Sequence, residues 1–331
     1  MKKLTDTSLY LSQTESKALY ALMLIIVFLN INTLYDSLLI ILLTLPLLAL
    51  NIGLRILFAK FNVSNVIEPT IIMLSGAVTI AYSVFASNFH YNIFSVSFGA
   101  YIVSLIIGAK AELLSDRLSV SIKTVLRIFG AVSASLLIWG LVREFLASGA
   151  ILSTFVSGGI KVFPKKLGNY VYSSSAFFLI ASLLCFVSER FRIKNIKHHI
   201  TGFTRTVLIS AGVAFVISMM MFGIAKLNIP GIASVLPYIM CASLSFLFSK
   251  FLSLETSRFI TTTSLVFVYI FTNISPSFIT TAILSAIILM LTVAIVYVSQ
   301  IIYTKKGTVS VLLLICSFAS YIYEIAAGSI I

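Results

Sequence analysis

The run SLLIILLTLPLLALNIGLRILFA (37–59) decides the fold. Its apolar residues are continuous, and its one charge, Arg55, sits near the end. About 20 such residues, wound as a helix, cross roughly 30 Å of hydrocarbon. Continuity rather than alternation excludes a barrel strand, and a helix satisfies its own backbone groups where no water can. Similar runs recur near 18–35, 68–87, 92–109, 120–141, 171–188, 206–225, 229–249, 259–274, 277–302 and 308–330. Together they predict an all-α polytopic membrane protein with about 11 transmembrane helices.

The composition agrees. Of 331 residues 60% are hydrophobic and 10% are charged, where a soluble domain carries about 25% charged residues, and the mean hydropathy is +1.11. There is too little polar surface for a soluble globule. Cys185, Cys241 and Cys316 lie far apart within apolar runs, an odd count without CxxC spacing, so no disulfide framework is expected. The opening segment MKKLTDTSLYLSQTESK is polar where a signal peptide would be apolar, and reads as a cytoplasmic tail over 1–17.

The net charge of +13 takes its meaning from position. With the N-terminus inside, alternation of eleven spans assigns 18 Lys and Arg to the inner face and 5 to the outer. The outer five are Arg143, Lys161, Lys165, Lys166 and Lys226. This obeys the positive-inside rule and puts the C-terminus outside. The basic stretch RFRIKNIKHH (190–199) is then an inner-face loop, and no nucleic-acid partner is expected. His198 and His199 are adjacent, so on a helix they diverge by about 100°, and no metal site is expected.

Polarity enters the membrane in spans four and nine, SVSFGAYIVSLIIGAKAE (95–112) and ITTTSLVFVYIFTNISPS (260–277). They are the shortest spans, and short or interrupted segments at corresponding places in two halves point to a site near the bilayer midplane. Ser104, Gly108, Glu112, Thr261, Thr262, Thr263 and Ser264 are therefore the candidates for an ion path or helix break. The competing account is packing by small residues whose hydroxyls bond back to their own helix. Lys250, Glu255 and Arg258 join spans eight and nine and read as interfacial pairs. No Ser-His-Asp set, Walker loop or GxGxxG occurs, so the chain is not expected to be catalytic alone.

The stretch RIFGAVSASLLIWGLVREFLASGAIL (127–152) resembles a membrane subunit of the Na⁺-translocating NADH:quinone reductase and the related Rnf complexes. That family has a Gly-rich helix, then Leu-Arg-Glu, two apolar residues and Gly-x-Gly. Arg143, Glu144 and Gly149 match this loop motif, and Ala147 replaces the first Gly. ALMLIIVFLNINTLYDSLLIIL (21–42) and IVSLIIGAKAE (102–112) follow the same pattern. FITTTSLVFVYIFTN (259–273) and GTVSVLLLICSFASYIYEIAAG (307–328) are similar to helices of the partner subunit.

The resemblance implies two fused inverted-topology repeats, 18–190 and 191–331, with their boundary within 165–205. It further implies the cytoplasmic membrane of a prokaryote and partnership with other Rnf/Nqr-type membrane and redox subunits. In that family four cysteines hold a [2Fe-2S] cluster at the subunit interface. Here Ile25, Leu105, Thr263 and Ser264 stand at matching positions, leaving Cys185 as the single cofactor-binding candidate. Four thiolates are required, so no cofactor is expected in this chain. A divergent scaffold or ion-path subunit follows. The alternative is a stand-alone secondary transporter or flippase-like carrier built from inverted repeats.

Overall fold

The computed structural model describes residues 31–61, 64–86, 93–113, 122–151, 160–161, 201–225, 232–252 and 254–274, with shorter pieces within 20–30, 171–183 and 314–321. Among them run α1 (Leu34–Phe61), α2 (Ser64–Ala86), α3 (Ile93–Leu113), α4 (Ile122–Ser148), α5 (Thr201–Ala225), α6 (Ile232–Phe251) and α7 (Leu254–Ile274). Among the described residues a strand pair, β1 (Ala150–Ile151) with β2 (Ile160–Lys161), is antiparallel and two residues long.

Five described helices are long and apolar enough to cross a membrane. Their outward faces carry Leu42, Leu45, Leu57, Val84, Ile138 and Phe251. Their inward faces hold Ser37, Asn51, Arg55, Glu68, Ser75 and Thr79. A water-soluble protein sorts its residues the other way. The chain is an α-helical membrane protein, its outer surface matched to lipid and its polar groups turned inward.

The described helices extend the sequence expectation mostly at their ends. The run 37–59 becomes α1, which starts three residues earlier because Thr33 and Asp36 form a reciprocal cap. The Thr33 Oγ1 accepts from Asp36 N at 3.2 Å, and Asp36 Oδ2 accepts from Thr33 N at 3.0 Å. That arrangement satisfies amide groups that a helix leaves open at its start. The span expected over 120–141 continues to Ser148, so Arg143 and Glu144 lie in the last turns of α4 and not in a loop. Gly149, at φ 68°, ends the helix in the left-handed conformation, its N–H donating to Phe145 O at 2.8 Å. The span expected over 277–302, most of 308–330 and parts of 18–35 and 171–188 fall outside the described residues.

The chain forms two compact units. The first comprises Met1–Asn30, Leu39–Ala134 and Thr201–Leu291. Within it α2 packs on α3 and α6, and α7 packs on α5 and α6. The second comprises Ile31–Leu38, Ser135–Ile200 and Thr292–Ile331. Its described core joins the start of α1 to the second half of α4: Ser37 Oγ donates to Leu136 O at 2.9 Å. Gly140 allows this approach, since a Cβ there would strike Ser37 Oγ and the Thr33 carbonyl.

Candidate functional site

Lipid-spanning helices rarely bury charge, because an unpaired ion in hydrocarbon is costly and has to be compensated. In the first unit three charged side chains meet. Glu68, the fifth residue of α2, is 3% exposed; Arg55 of α1 is likewise 3% exposed and Arg258 of α7 is 6% exposed. Glu68 Oε1 takes Arg55 Nη1 at 2.8 Å and Arg258 Nη2 at 2.6 Å. One carboxylate oxygen thereby ties three helices together.

The cluster has a polar support. Arg55 Nε donates to Asn51 Oδ1 at 2.7 Å, and Asn51 Nδ2 donates to the Ser104 carbonyl of α3 at 3.1 Å. Gly108 makes this possible, because a Cβ at that position would come within 2.6 Å of Asn51 Oδ1. Beside the ions lies a small cavity with room for about one water, lined by Glu68, Leu105, Ala109, Arg258 and Thr262 among others.

Helices α3 and α7, expected from sequence to carry the centre, do adjoin one another. Phe98 stacks on Tyr269 with ring centroids 4.3 Å apart, and Tyr269 Oη donates to Ser95 Oγ at 2.7 Å. Both are unbroken helices of 21 residues, and the described α6, at 20, is shorter. Interruption is thus not what brings polarity into them.

The candidate residues divide. Ser104 Oγ donates to Tyr101 O at 2.7 Å, Thr261 Oγ1 to Ser257 O and Arg258 O at 3.0 Å, and Ser264 Oγ to Ile260 O at 2.6 Å. These hydroxyls close on their own helices. Thr262 lines the cavity. Thr263 is fully buried, with no hydrogen-bond partner for its hydroxyl among the described residues. Gly108 seats Asn51. The backbone of Glu112 belongs to the last turn of α3, while its side chain and all of Cys185 lie outside the described residues.

Arg143 and Glu144 serve the second unit. Arg143, completely buried, donates from Nη1 to Ile31 O at 2.7 Å, from Nε to Val171 O at 3.2 Å and from Nη2 to Ser173 O at 3.5 Å. Its guanidinium also sits 6.0 Å from the centre of the Trp139 ring. Glu144 Oε2 accepts from Leu34 N at 3.0 Å, adding a third acceptor to the start of α1. Both side chains tie backbone ends together.

Sequence reading overlooked the pairing of Glu68 with Arg55 and Arg258. It counted Arg55 toward topology and treated Arg258 as an interfacial partner of neighbouring Glu255. A signal was present: Glu68 precedes Pro69 at the start of an otherwise apolar run, and a lone acid there needs a cation.

Ile25, Leu105, Thr263 and Ser264 carry no thiolate for an iron-sulfur site. Leu105 fills the wall of the cavity, Ser264 is bonded to its own helix, and Ile25 and Thr263 supply no sulfur. Cys241 is buried in α6, and no group of three His, Cys, Asp or Glu side chains converges among the described residues. Comparison with known protein families, curated proteins and solved structures finds no match for this chain.

Proposed function

We propose that this protein takes part in ion or solute translocation across the membrane, with the Arg55–Glu68–Arg258 cluster at its working centre. The observation that carries the reading is the cluster itself: three charges buried where their desolvation is expensive, beside a small cavity that Glu68 and Arg258 help to line. Such an arrangement inside a membrane bundle marks a pathway more often than a prop. A hydrophobic replacement of similar volume would hold helices together at no desolvation cost.

In its leading form the chain is a divergent membrane subunit of an Rnf/Nqr-type ion-translocating electron-transport complex, with a scaffold or ion-path role and no cluster of its own. Support comes from the matching residues Arg143, Glu144 and Gly149, each of which has a demanding local role. In this form the chain has about 11 spans in two inverted repeats, N-terminus inside and C-terminus outside, in a prokaryotic cytoplasmic membrane with redox subunits as partners.

The second form is a stand-alone secondary carrier. It is favoured by the composition of the cluster, which draws Arg55 and Glu68 from the first sequence half and Arg258 from the second, as expected for a site between repeats.

A mild-detergent pull-down read by mass spectrometry separates the two. Flavin- or iron-sulfur-containing subunits in the eluate support the complex, and transport by the purified chain in liposomes supports the carrier. Labelling of single cysteines from either side of the membrane tests the topology. The loop 190–205 should react from inside, and 142–170 and the C-terminus from outside. A C-terminus that reacts from the cytoplasm removes the eleven-span form.

A further inference from the structure

We propose that the first unit holds an internal repeat, α1–α3 and α5–α7, and that the two ends of its α3–α7 seam are a pair of gates, one ionic and one aromatic. The proposal rests on the translocation reading and says how the path is closed at each end.

The repeat starts as a sequence match. Ala59-Lys60-Phe61-Asn62-Val63 stands at the end of α1 and Ala225-Lys226-Leu227-Asn228-Ile229 at the end of α5. Carried back without a gap, the match sets Ile40 against Thr206 and Thr44 against Ser210. These two hydroxyls make the same contacts. Thr44 Oγ1 shares its proton between Ile40 O at 2.6 Å and Ala100 O of α3 at 3.5 Å. Ser210 Oγ does so between Thr206 O at 2.7 Å and Ile260 O of α7 at 3.2 Å.

Carried forward, the match sets Ile71, Ile72, Ser75, Gly76 and Thr79 of α2 against Pro237, Tyr238, Cys241, Ala242 and Ser245 of α6, and each of these is buried. After a shorter connection, the carbonyls of Ala100 and Ile260 put the third helices in register. SFGAYIVSL (97–105) on α3 then lies against SRFITTTSL (257–265) on α7, so that both serines and the leucine coincide. Apolar helices share composition by default, but they do not by default share hydrogen bonds between the same pairs of helices.

The related helices face one another. α2 packs on α6, and α3 and α7 run antiparallel. Phe98, near the start of α3, stacks on Tyr269, near the end of α7, with ring centroids 4.3 Å apart. Ala109, near the end of α3, lines one cavity with Arg258, near the start of α7. In the register above Phe98 corresponds to Arg258, and Tyr269 to Ala109. The aromatic stack and the ion cluster therefore occupy the same place in the repeat, at opposite ends of one seam. At the ionic end Glu68 holds Arg258 and Arg55. At the aromatic end Met221 and Ser234 stand where Arg55 and Glu68 stand in the first repeat, and closure passes to stacked rings.

Two antiparallel repeats can exchange conformations, which opens the ends of their shared seam in turn. The ionic end opens when another ion competes for Glu68 or Arg258. The aromatic end opens when one ring turns aside. Opening of either without the other is alternating access.

The full chain, with Cys185, Cys241 and Cys316 changed to Ala and Leu105→Cys as a reporter on the seam, is placed in sealed right-side-out and inside-out membrane vesicles. A membrane-impermeant methanethiosulfonate is the probe. Phe98→Ala should speed labelling about tenfold from one side, the upper range of what an aromatic pair contributes. Glu68→Gln should speed it at least about tenfold from the opposite side. Tyr269→Ala replaces the first variant, and Arg258→Gln the second, if either fails to elute as folded protein on size exclusion. Leu42→Ala, on the outward face of α1, should leave the rate unchanged. Faster labelling from the same side in both arms, in only one folded arm, or in neither overturns the two gates. Transport in liposomes and the pull-down are scored separately, so solute transport accompanied by same-side labelling strikes this proposal and leaves the translocation reading standing.

Discussion

Two regions of this molecule bury an arginine and a glutamate, and they use them differently. In the second unit Arg143 spreads its charge over the carbonyls of Ile31, Val171 and Ser173, while Glu144 caps the start of α1. These hydrogen bonds go to backbone groups whose pairing the fold itself requires. In the first unit Arg55, Glu68 and Arg258 bond to one another beside a cavity, where helix packing would be served as well by apolar side chains. Charge spent on backbone ends builds structure. Charge paired with charge next to water-sized space can also respond to an ion.

The sharpest test of that contrast is Arg143→Met. It leaves several buried carbonyls without their donor, and we expect a loss of about 3–5 kcal/mol, enough to abolish monodisperse protein on size exclusion. A variant that melts like wild type would erase the difference between the regions. Glu68→Gln should cost less, about 1.5–3 kcal/mol in a thermal melt, because the amide oxygen still accepts while the charge is gone. Its translocation should fall far more than its stability. Equal losses in both would make the cluster a structural device like Arg143.

Gly108→Ala probes the support of the cluster without touching a charge. The new methyl must displace an Asn51 side chain already fixed at both ends, and a cost of about 1–3 kcal/mol is expected from overpacking. If activity survives, Asn51 is not needed to orient Arg55. The smallest effects belong to Thr261→Val and Ser264→Ala. Both hydroxyls donate to carbonyls of their own helix, so stability should stay within about 0.5 kcal/mol and activity should not move. A large loss in either would return them to the working centre.

Membrane character and the positions of the described helices could be read from sequence, because hydrocarbon thickness imposes length and apolarity on each span independently of its neighbours. Helix ends were less legible. Arg143 and Glu144 looked like loop residues because charge normally marks the interface, yet the carbonyls and amides brought to them by α1 and by residues 171–173 allow α4 to continue through both. Spans four and nine were found together, but the importance assigned to Ser104, Thr261 and Ser264 depended on where their hydroxyls pointed, and rotamers are set by local backbone acceptors that periodicity does not report.

The sequence by itself determined that the chain lives in lipid, that it crosses as helices, and which segments are apolar enough to do so. Those are properties of single segments facing a uniform solvent. The tertiary structure alone decided that Glu68 meets Arg55 and Arg258, from positions separated by most of the chain, and that Asn51 fits against Gly108. A buried charge declares in sequence that it needs a partner. Which partner it takes depends on packing among helices, where several pairings satisfy the same electrostatic demand and shape selects one.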